Sequence, residues 1–499
     1  MKRLTLALLV LAAPASAGPV FLDRSAALPV AHVYSGGWEH FVGGGVAILD
    51  CNGDGRPDFA AAGGAGPTHL FVNRTPGPGA ALAFEAAGLP VPTGVTGLWP
   101  LDIDGDGTLD LAVLRAGPNL LLRGDGQCGF AKADWGFAGG DGWSTAFSAT
   151  WEPGRSLPTL AIGNYVDRAD PNGPFGTCDG NELHRAEAGR YGAPLPLAPG
   201  FCALSMLFSD WQRSGRPELR ISNDRHYYVS GGYEQMWRLD PLAERGPDEG
   251  WRRVSLWGMG IASADLDGNG FPEVMLTSMG DQLLQFNEAG VLRDAPYAQG
   301  SYAQRPYLGD DGRPSTGWHA EFGDIDNDGR LDLFIAKGNV DQMPSNAMKD
   351  PNNLLMQQPD GRFHEAGDAA GIASGARSRG AGLADFDGDG RLDLVVVNRR
   401  AALELWQNAT PGTGHWLGVE LRQPPPNTRA VGAWIELRAG GLSQTREVTV
   451  GGGHGGGQAG PVHFGLGAAE TALLRVLWPG AGWSDWQEVA ADGVVTLRP

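Results

Sequence analysis

The chain has 499 residues, of which 78 are glycine and 35 are proline, yet 42% of its residues are hydrophobic. The apolar content excludes disorder and the lack of a Gly-X-Y period excludes collagen, so a turn-rich all-β protein is favoured. The formal net charge of −19 argues against nucleic acid and anionic membranes as partners, because both attract basic patches.

Residues 1–17 have the pattern of a signal peptide. Lys2 and Arg3 precede the short apolar run 4–13, and Ala15-Ser16-Ala17 is a small-residue cleavage site, with cleavage predicted after Ala17. The apolar run is too short to span a membrane, and no later segment approaches 18 uncharged apolar residues. We therefore predict an exported protein, periplasmic or extracellular, with no membrane insertion.

The four cysteines of an exported chain indicate two disulfides. Three connectivities are possible. Cys178 and Cys202 lie in one insertion, which favours their pairing and leaves Cys51 with Cys128.

An acidic loop recurs along the chain. Its last copy reads DFDGDGRLDLVVVN over residues 385–398, and copies begin at 50, 102, about 151, 210, 265, 324 and 385. The spacing of roughly 50 to 60 residues is the size of a propeller blade. Each copy is preceded by a short apolar segment and followed by an apolar or β-branched run, then by a third strand-like segment such as 119–124 or 403–408. We predict a seven-bladed β-propeller over residues 18–410, with the fourth strand of each blade less clear.

The loop has the composition of a calcium site. Oxygen-bearing side chains recur at positions 1, 3, 5 and 9, position 7 offers a backbone carbonyl, and Gly at position 6 permits a tight turn. Hard oxygen donors in this number favour Ca²⁺ over Zn²⁺. Five copies keep the pattern, which predicts about five Ca²⁺ sites. Their ligand positions are Asp50, Asn52, Asp54, Arg56 and Asp58; Asp102, Asp104, Asp106, Thr108 and Asp110; Asp265, Asp267, Asn269, Phe271 and Glu273; Asp324, Asp326, Asp328, Arg330 and Asp332; and Asp385, Asp387, Asp389, Arg391 and Asp393.

An EF-hand begins in the same way but requires a bidentate Glu at position 12 and flanking helices. Position 12 is Val396 in the last copy and Val113 in the second, and strand-like sequence follows, so the loops are not EF-hands.

The copy at Asp210 has Gln212 and Ser214 at positions 3 and 5, which predicts weak or no binding. The copy near 151 has lost its carboxylates.

The loop with its following LDL, as in the copies at 102, 324 and 385, resembles the FG-GAP/VCBS-type repeats of integrin-α-like propellers. Residues 317–338 and the tail motifs AVGAWIEL (430–437), QTREVTVGGG (444–453), VHFGLG (462–467) and VLWPGAG (476–482) resemble the cartilage acidic protein family. That resemblance implies a propeller joined to a C-terminal ASPIC/UnbV domain, calcium binding, and extracellular protein or glycan interaction. The family has an aromatic and polar stretch after its Gly run, whereas this chain has His454 followed by three glycines, so no binding role is carried over to that loop.

The tail itself reads as a small β-sandwich over residues 411–499. Its strand-like runs, such as HWLGVELR and LLRVLW, are separated by Pro/Gly turns.

Function is expected on the propeller face opposite the acidic loops, since loops on a rigid scaffold carry most binding sites. Polar and aromatic side chains collect there, although they could equally hydrogen-bond neighbouring blades. The predicted partner-binding residues are Asn164, Tyr165, Asn223, Arg225, His226, Tyr227, Trp318, His319, Lys337 and Asn339, with Asp167, Arg168, Asp224, Arg399 and Arg400 beside them.

Binding or cell adhesion is favoured over catalysis, because no nucleophile elbow, HExxH or three-ligand zinc pattern occurs. The alternative is a calcium-stabilised propeller enzyme, a lyase or hydrolase of polysaccharide, that uses His226, Tyr227, His319 and Lys337 on the same face.

Overall fold

The computed structural model describes residues 18–170, 176–224, 231–302 and 313–499. The predicted signal peptide and the candidate residues Arg225, His226 and Tyr227 lie outside the described residues. Seven four-stranded antiparallel sheets follow one another along the chain and are named blades 1 to 7, with strands a to d counted from the innermost strand outward.

The blades have the following strands. Blade 1 comprises Val46–Leu49, Asp58–Ala61, His69–Asn73 and Phe84–Gly88; blade 2 comprises Val95–Leu101, Asp110–Arg115, Leu120–Gly124 and Phe130–Lys132; blade 3 comprises Ser144–Thr150, Thr159–Asn164, Asn181–His184 and Leu195–Leu197. Blade 4 comprises Ala203–Ser209, Glu218–Asn223, Gln235–Leu239 and Leu242–Glu244; blade 5 comprises Gly258–Ala264, Glu273–Ser278, Leu283–Glu288 and Val291–Asp294; blade 6 comprises Gly317–Gly323, Asp332–Lys337, Asn353–Gln357 and Phe363–Glu365.

Blade 7 closes the ring. Its strands a to c are Ser378–Ala384, Asp393–Asn398 and Glu404–Asn408, and its strand d is the N-terminal strand Phe21–Asp23. Each strand a contacts the strands a of both neighbouring blades, including blade 7 with blade 1. The seven-bladed propeller and the all-β fold class are confirmed. The unclear fourth strand is supplied locally in blades 1 to 6 and by the other end of the chain in blade 7, which sequence periodicity alone does not reveal.

The remaining elements are short. A two-stranded hairpin, Ala186–Glu187 with Arg190–Tyr191, lies within blade 3. The 3-10 helices are Ser25–Ala27, Trp38–His40, Pro247–Glu249 and Tyr297–Gln299, and the α-helix is Gly367–Ala370. Among the described residues, no helix is long and apolar enough to cross a membrane. The disulfides Cys51–Cys128 and Cys178–Cys202 confirm the favoured pairing.

The tail folds as a sandwich of two sheets. One sheet has the strand order Val462–Gly467, His415–Leu421, Gly493–Leu497, and the other has the order Leu442–Glu447, Trp434–Ala439, Thr471–Leu477, Gln487–Ala490. Alternate side chains of both sheets, such as Leu417, Ile435, Phe464 and Leu474, form a separate apolar core. The propeller strands end at Asn408 and the sandwich begins at His415.

A segment of the sandwich domain enters the propeller channel. Val450, Gly451 and Gly453 pair with strands a of blades 3, 4 and 5, Gly456 pairs with that of blade 2, and Gly457–Ala459 adds a parallel strand to that of blade 1. We call residues 450–459 the plug. Only glycine fits at its closest approaches: a Cβ on Gly456 would lie 1.9 Å from the Val46 carbonyl oxygen.

His454 lies at the plug's centre and is fully buried. Its backbone N–H donates to His319 Nδ1 (3.0 Å), and its Nε2 accepts from the Gly43 backbone N–H (3.1 Å). Burial lowers the pKa of His454 to about 3, so its imidazole is neutral. The run His454-Gly455-Gly456-Gly457 therefore joins the two domains from within the channel.

Candidate metal centres and the opposite face

Each acidic loop connects strand a to strand b, so all seven loops lie on one face of the propeller. The loop backbone is held by its own side chains. In six blades the carboxylate at position 1 accepts the backbone N–H of the Gly at position 6, over 2.6 to 3.0 Å. That Gly has a left-handed φ, for example 93° at Gly107 and 88° at Gly390, which explains why glycine recurs at position 6.

The residue at position 9 begins strand b and is buried in the five loops predicted to bind calcium, those of blades 1, 2, 5, 6 and 7. Its carboxylate accepts two backbone N–H groups, one from loop position 2 and one from strand c or the residue ending it. In blade 7, Asp393 accepts from Phe386 (2.9 Å) and Asn408 (2.8 Å). The same pair of bonds is made by Asp58, Asp110, Glu273 and Asp332. These bonds fix one ligand of each candidate site before any cation binds.

In four blades three carboxylates converge. Ligand atoms from positions 1, 3 and 9 lie within 4.8 Å of one another; the sets are Asp102, Asp104 and Asp110; Asp265, Asp267 and Glu273; Asp324, Asp326 and Asp332; and Asp385, Asp387 and Asp393. Because Ca²⁺–oxygen distances are about 2.3–2.6 Å, two ligands of one ion lie up to about 5 Å apart. The spacing and the hard oxygen donors therefore fit a shared Ca²⁺.

Burial makes these carboxylates resist ionisation while no cation is bound. Burial, together with the charge of neighbouring carboxylates, raises the pKa of Asp110, Glu273 and Asp324 to about 8 and that of Asp385 to about 7. A bound divalent cation would stabilise the ionised carboxylates and so lower these pKa values again.

The side chain at position 5, which the sequence predicts to be a calcium ligand, makes hydrogen bonds within the loop. It accepts the backbone N–H of position 7, over 2.7 to 3.0 Å in blades 2, 5, 6 and 7. In blades 6 and 7 its carboxylate also pairs with the Arg at position 7. The converging carboxylates come from positions 1, 3 and 9, while the roles of positions 5 and 7 as ligands stay predictions.

Blade 1 has Asn52 at position 3, so positions 1, 3 and 9 of its loop offer two carboxylates, Asp50 and Asp58, and one amide. Cys51 and Cys128 lie beside Asp58, but they form a disulfide and provide no thiolate to a metal.

Blades 3 and 4 instead contain arginine–glutamate pairs beside their a–b loops. In blade 3, Arg185 makes two 2.7 Å hydrogen bonds to Glu152, which also accepts from Thr159 at position 9. In blade 4, Arg245 pairs with Glu218 at position 9 (3.0 Å). Sequence reasoning identified these blades as metal-poor but missed the arginines, because Arg185 follows strand c of blade 3 and Arg245 follows strand d of blade 4, outside the loops.

The sandwich domain packs on the same face as the acidic loops. Glu447 accepts from Ser209 Oγ (2.5 Å) and the Asp210 backbone N–H (3.0 Å), and Thr428 hydrogen-bonds Asp102. Gly467 N–H donates to the Asn327 carbonyl (2.8 Å), and His463 Nε2 lies 3.1 Å from the Gly390 carbonyl. We call the opposite side of the propeller the far face.

The structure places the described partner-binding candidates inside the far-face ends of the blades. All seven are at most 5% exposed: Asn164, Tyr165, Asn223, Trp318, His319, Lys337 and Asn339. Tyr165 donates to Asp224 (2.6 Å), Trp318 Nε1 donates to the Gly338 carbonyl (2.7 Å), and Lys337 pairs with Asp350 (3.3 Å). These contacts correspond to the alternative interpretation, in which the side chains bond neighbouring segments.

Other residues form the exposed part of that face. Residues 36–43 run across the channel mouth, where Trp38 is 47% exposed. Arg379 and Arg399 hold this segment by donating to the Phe41 and His40 carbonyls. Sequence reasoning missed Trp38 because it precedes the first repeat and carries no repeat signature.

Comparisons with known proteins agree with this architecture. Residues 50–113 and 324–396 match the FG-GAP-like repeat, and residues 423–499 match the ASPIC and UnbV family. The propeller thus contains segments that match the FG-GAP-like repeat, and the C-terminal sandwich matches the ASPIC and UnbV family.

It is also related to cartilage acidic protein 1. Similarity to the human and mouse proteins is 25% identity over 258 residues, which covers 48% of this chain and 35% and 36% of those proteins. The match thus spans about a third of the relatives' own length. The resemblance to the cartilage acidic protein family is confirmed.

Among solved structures, the chain is similar to BBS1N in its complex with ARL6DN, with a TM-score of 0.46 and 11% identity over 80% of this chain and 99% of that one. It is also similar to an Agrocybe aegerita lectin that recognises non-reducing terminal N-acetylglucosamine, with a TM-score of 0.40 and 14% identity over 74% and 94% of the chains. Both scores are below 0.5, and the fold assignment rests on the chain's own strand pairing.

Proposed function

We propose that this chain is an exported calcium-binding propeller that mediates protein or glycan interaction. Calcium occupies the a–b loops of blades 1, 2, 5, 6 and 7 and braces the scaffold, and the far face carries the interaction. The observation behind the calcium proposal is the convergence of three carboxylates within 4.8 Å in each of four blades.

The structural role of the cation follows from the position of the loops. Each ion would be ligated mainly by protein oxygens at the junction of strands a and b, beneath or beside the sandwich domain. Such an ion neutralises carboxylates that already hold the loop and strand c together. It is therefore a stabiliser of the blade rather than a centre that presents an open coordination position to a substrate.

The interaction role is supported by the arrangement of the two domains. The sandwich contacts the acidic face and its plug enters the channel, and on this proposal the partner binds at the far face. Two disulfides and the predicted signal peptide support export to an oxidising compartment.

A glycan array combined with a pull-down from the native extracellular fraction tests the interaction. The mature chain is used in 2 mM Ca²⁺ and again after chelation and dialysis. Retention of a glycan or a protein in Ca²⁺, with loss after chelation in step with loss of fold, supports the proposal. A folded, calcium-loaded chain that retains no glycan and no protein contradicts it.

A further inference from the structure

The far face carries a concentration of positive charge in an otherwise acidic protein. Arg377, Arg399 and Arg400 all approach one oxygen of Asp341, at 3.6, 3.8 and 3.0 Å. Arg379 lies behind them, and its electrostatic neighbours include Arg377, Arg399 and Asp341. Four guanidinium groups and one carboxylate leave a local charge of +3, against −19 for the whole chain.

The two inner arginines are built into the scaffold. Arg379 and Arg399 are at most 1% exposed. Arg379 donates to the carbonyls of Phe41, Ser378 and Val340, and its guanidinium lies 3.9 Å from the centre of the Trp318 ring. Because carbonyls carry only partial charge, these bonds orient the guanidinium groups without neutralising them.

The two outer arginines face solvent. The side chain of Arg400 is 44% exposed and that of Arg377 is 25% exposed, while Asp341 is 38% exposed. At 3.6 and 3.8 Å, the contacts from Arg377 and Arg399 to Asp341 exceed hydrogen-bonding length. The guanidinium cluster therefore keeps capacity for a second carboxylate.

The backbone segment that carries the exposed Trp38 contacts this cluster. Arg399 donates to the carbonyls of Gly36 and Gly37, and Arg400 donates to that of Gly36 (3.4 Å). Consecutive Cα atoms are about 3.8 Å apart, so the backbone of Trp38 lies within about 8 Å of Gly36. Trp38 is held from one side by an edge-on contact with Trp143 (5.1 Å) and exposes about half its surface.

We propose that Trp38, Arg377 and Arg400, with the buried Arg399 adding positive charge beneath them, form a site for a uronic-acid residue of a glycan. The exposed indole packs against the apolar face of the sugar ring, and the outer guanidinium groups bind its carboxylate. This inference rests on the proposed interaction function and names the ligand class for the far face.

Charge favours a glycan with isolated carboxylates over an acidic peptide. Glu39 and Asp141 lie nearby, both paired with Arg168, and the chain as a whole is strongly negative. A densely charged polyanion would be repelled by this surrounding field. A single carboxylate on a sugar flanked by neutral residues meets the +3 cluster without that cost.

The test is calorimetric titration of the calcium-loaded mature chain with hyaluronan octasaccharide, in which glucuronate alternates with a neutral sugar. The matched ligand is the same oligosaccharide with its carboxyl groups reduced to alcohols, and poly-glutamate represents an acidic peptide. We expect the acidic oligosaccharide to bind and the reduced form to bind at least tenfold more weakly.

Three variants locate the site. Arg400→Gln and Trp38→Ala should each weaken binding about tenfold, because each removes one arm of the site. Asp341→Asn should tighten binding several-fold, since it removes the internal carboxylate that competes for the arginines. The matched controls Arg74→Gln and Tyr297→Ala, at exposed positions elsewhere, should bind as the unmodified chain does. Circular dichroism and thermal melting check that every variant is folded.

The outcomes separate this inference from the proposed function. The uronate site is overturned if the reduced oligosaccharide binds equally well, or if Arg400→Gln and Asp341→Asn leave binding unchanged. In either case, a glycan or protein retained in the pull-down still supports the proposed function. Tighter binding of poly-glutamate overturns it in favour of an acidic protein partner. Retention of no glycan and no protein overturns both.

Discussion

Blades 2, 5, 6 and 7 and blades 3 and 4 solve the same structural problem in different ways. All six must hold the turn between strands a and b where the chain leaves the centre of the ring. The first group places three carboxylates within 4.8 Å, while blades 3 and 4 pair a carboxylate with Arg185 or Arg245. The difference indicates that the site needs a positive charge, which is either a protein side chain or an ion from solution.

Each solution has a different dependence on conditions. An arginine is covalently part of the chain and stays protonated, so blades 3 and 4 are stable whatever the medium contains. The acidic blades depend on the free cation concentration through mass action. A protein exported to a calcium-rich medium would acquire its full stability only after export.

The largest expected effect is that of removing the cations from all acidic blades. A site held at about 100 times its dissociation constant adds about 2.7 kcal/mol to the free energy of unfolding. Five such sites would shift the melting temperature of a chain this long by roughly 10 °C. Differential scanning calorimetry in Ca²⁺ and in excess EDTA measures the shift. An unchanged melt in EDTA would rule out a structural role for the metal.

The next prediction compares position 9 in an acidic blade with position 9 in a blade that uses an arginine. Asp393→Asn in blade 7 should remove one bound Ca²⁺ and lower the free energy of unfolding by about 3 kcal/mol, because a buried N–H partner and a ligand are both lost. The matched variant Glu218→Gln in blade 4 should cost about 1 kcal/mol and leave the calcium stoichiometry unchanged. Denaturant unfolding and calcium titration measure both quantities. Loss of a calcium ion from Glu218→Gln would break the distinction between the blades.

A smaller effect is expected from removing the positively charged Arg185 side chain of blade 3. Arg185→Gln leaves Glu152 largely buried without its bidentate partner and should lower the free energy of unfolding by about 2 kcal/mol. Because Glu152 alone cannot assemble a calcium site, added Ca²⁺ should not restore the loss. Arg190→Gln, which removes a highly exposed pair with Asp134, should change stability by less than about 0.5 kcal/mol. Restoration of Arg185→Gln by millimolar Ca²⁺ would contradict this account of blade 3.

A separate effect concerns acid and distinguishes the plug from the acidic loops. The folded pKa of His454 is about 3, below its ordinary 6.5, since burial and the nearby Arg379 and His319 oppose its charge. Its contribution to stability is present above pH 6.5 and falls as the pH drops toward 3, because the unfolded chain takes up the proton first. The limiting slope is about 1.4 kcal/mol per pH unit.

Comparison of the unmodified chain with His454→Gln between pH 7 and pH 5 measures this contribution. The glutamine side chain can still accept from the Gly43 N–H, and the variant should lose stability less steeply on acidification. Parallel slopes for the two proteins would show that His454 does not contribute to acid sensitivity.

Much of the scaffold is predictable because its signals are local and repeated. The loop beginning at Asp385 contains both the glycine that forms its turn, Gly390, and the carboxylate that bonds the loop to strand c, Asp393. Copies of this loop at a regular period are therefore sufficient to predict the blades. The strand Phe21–Asp23 and the plug are not predictable in this way, since their partners lie hundreds of residues away and depend on ring closure.

The convergence of the loop carboxylates is more predictable from the sequence than the exposure of the far-face side chains. Carboxylates at positions 1, 3 and 9 converge because the turn is short and local hydrogen bonds fix it. The far-face candidates were selected by residue type, and side chains such as Tyr165 and Trp318 proved to be buried where blades meet. Exposure depends on how distant segments cover the blade ends, as residues 36–43 do, and one blade's sequence does not encode that.

The most direct test of the comparison between blades is a crystal structure of the mature chain grown in Ca²⁺, with anomalous differences measured at a wavelength where calcium scatters anomalously. The account predicts calcium peaks in the a–b loops of blades 1, 2, 5, 6 and 7, each contacting the residues at positions 1, 3 and 9, with arginine pairs and no calcium in blades 3 and 4. A calcium peak beside Glu152 or Glu218, or loops without calcium in blades 2, 5, 6 and 7, would contradict it.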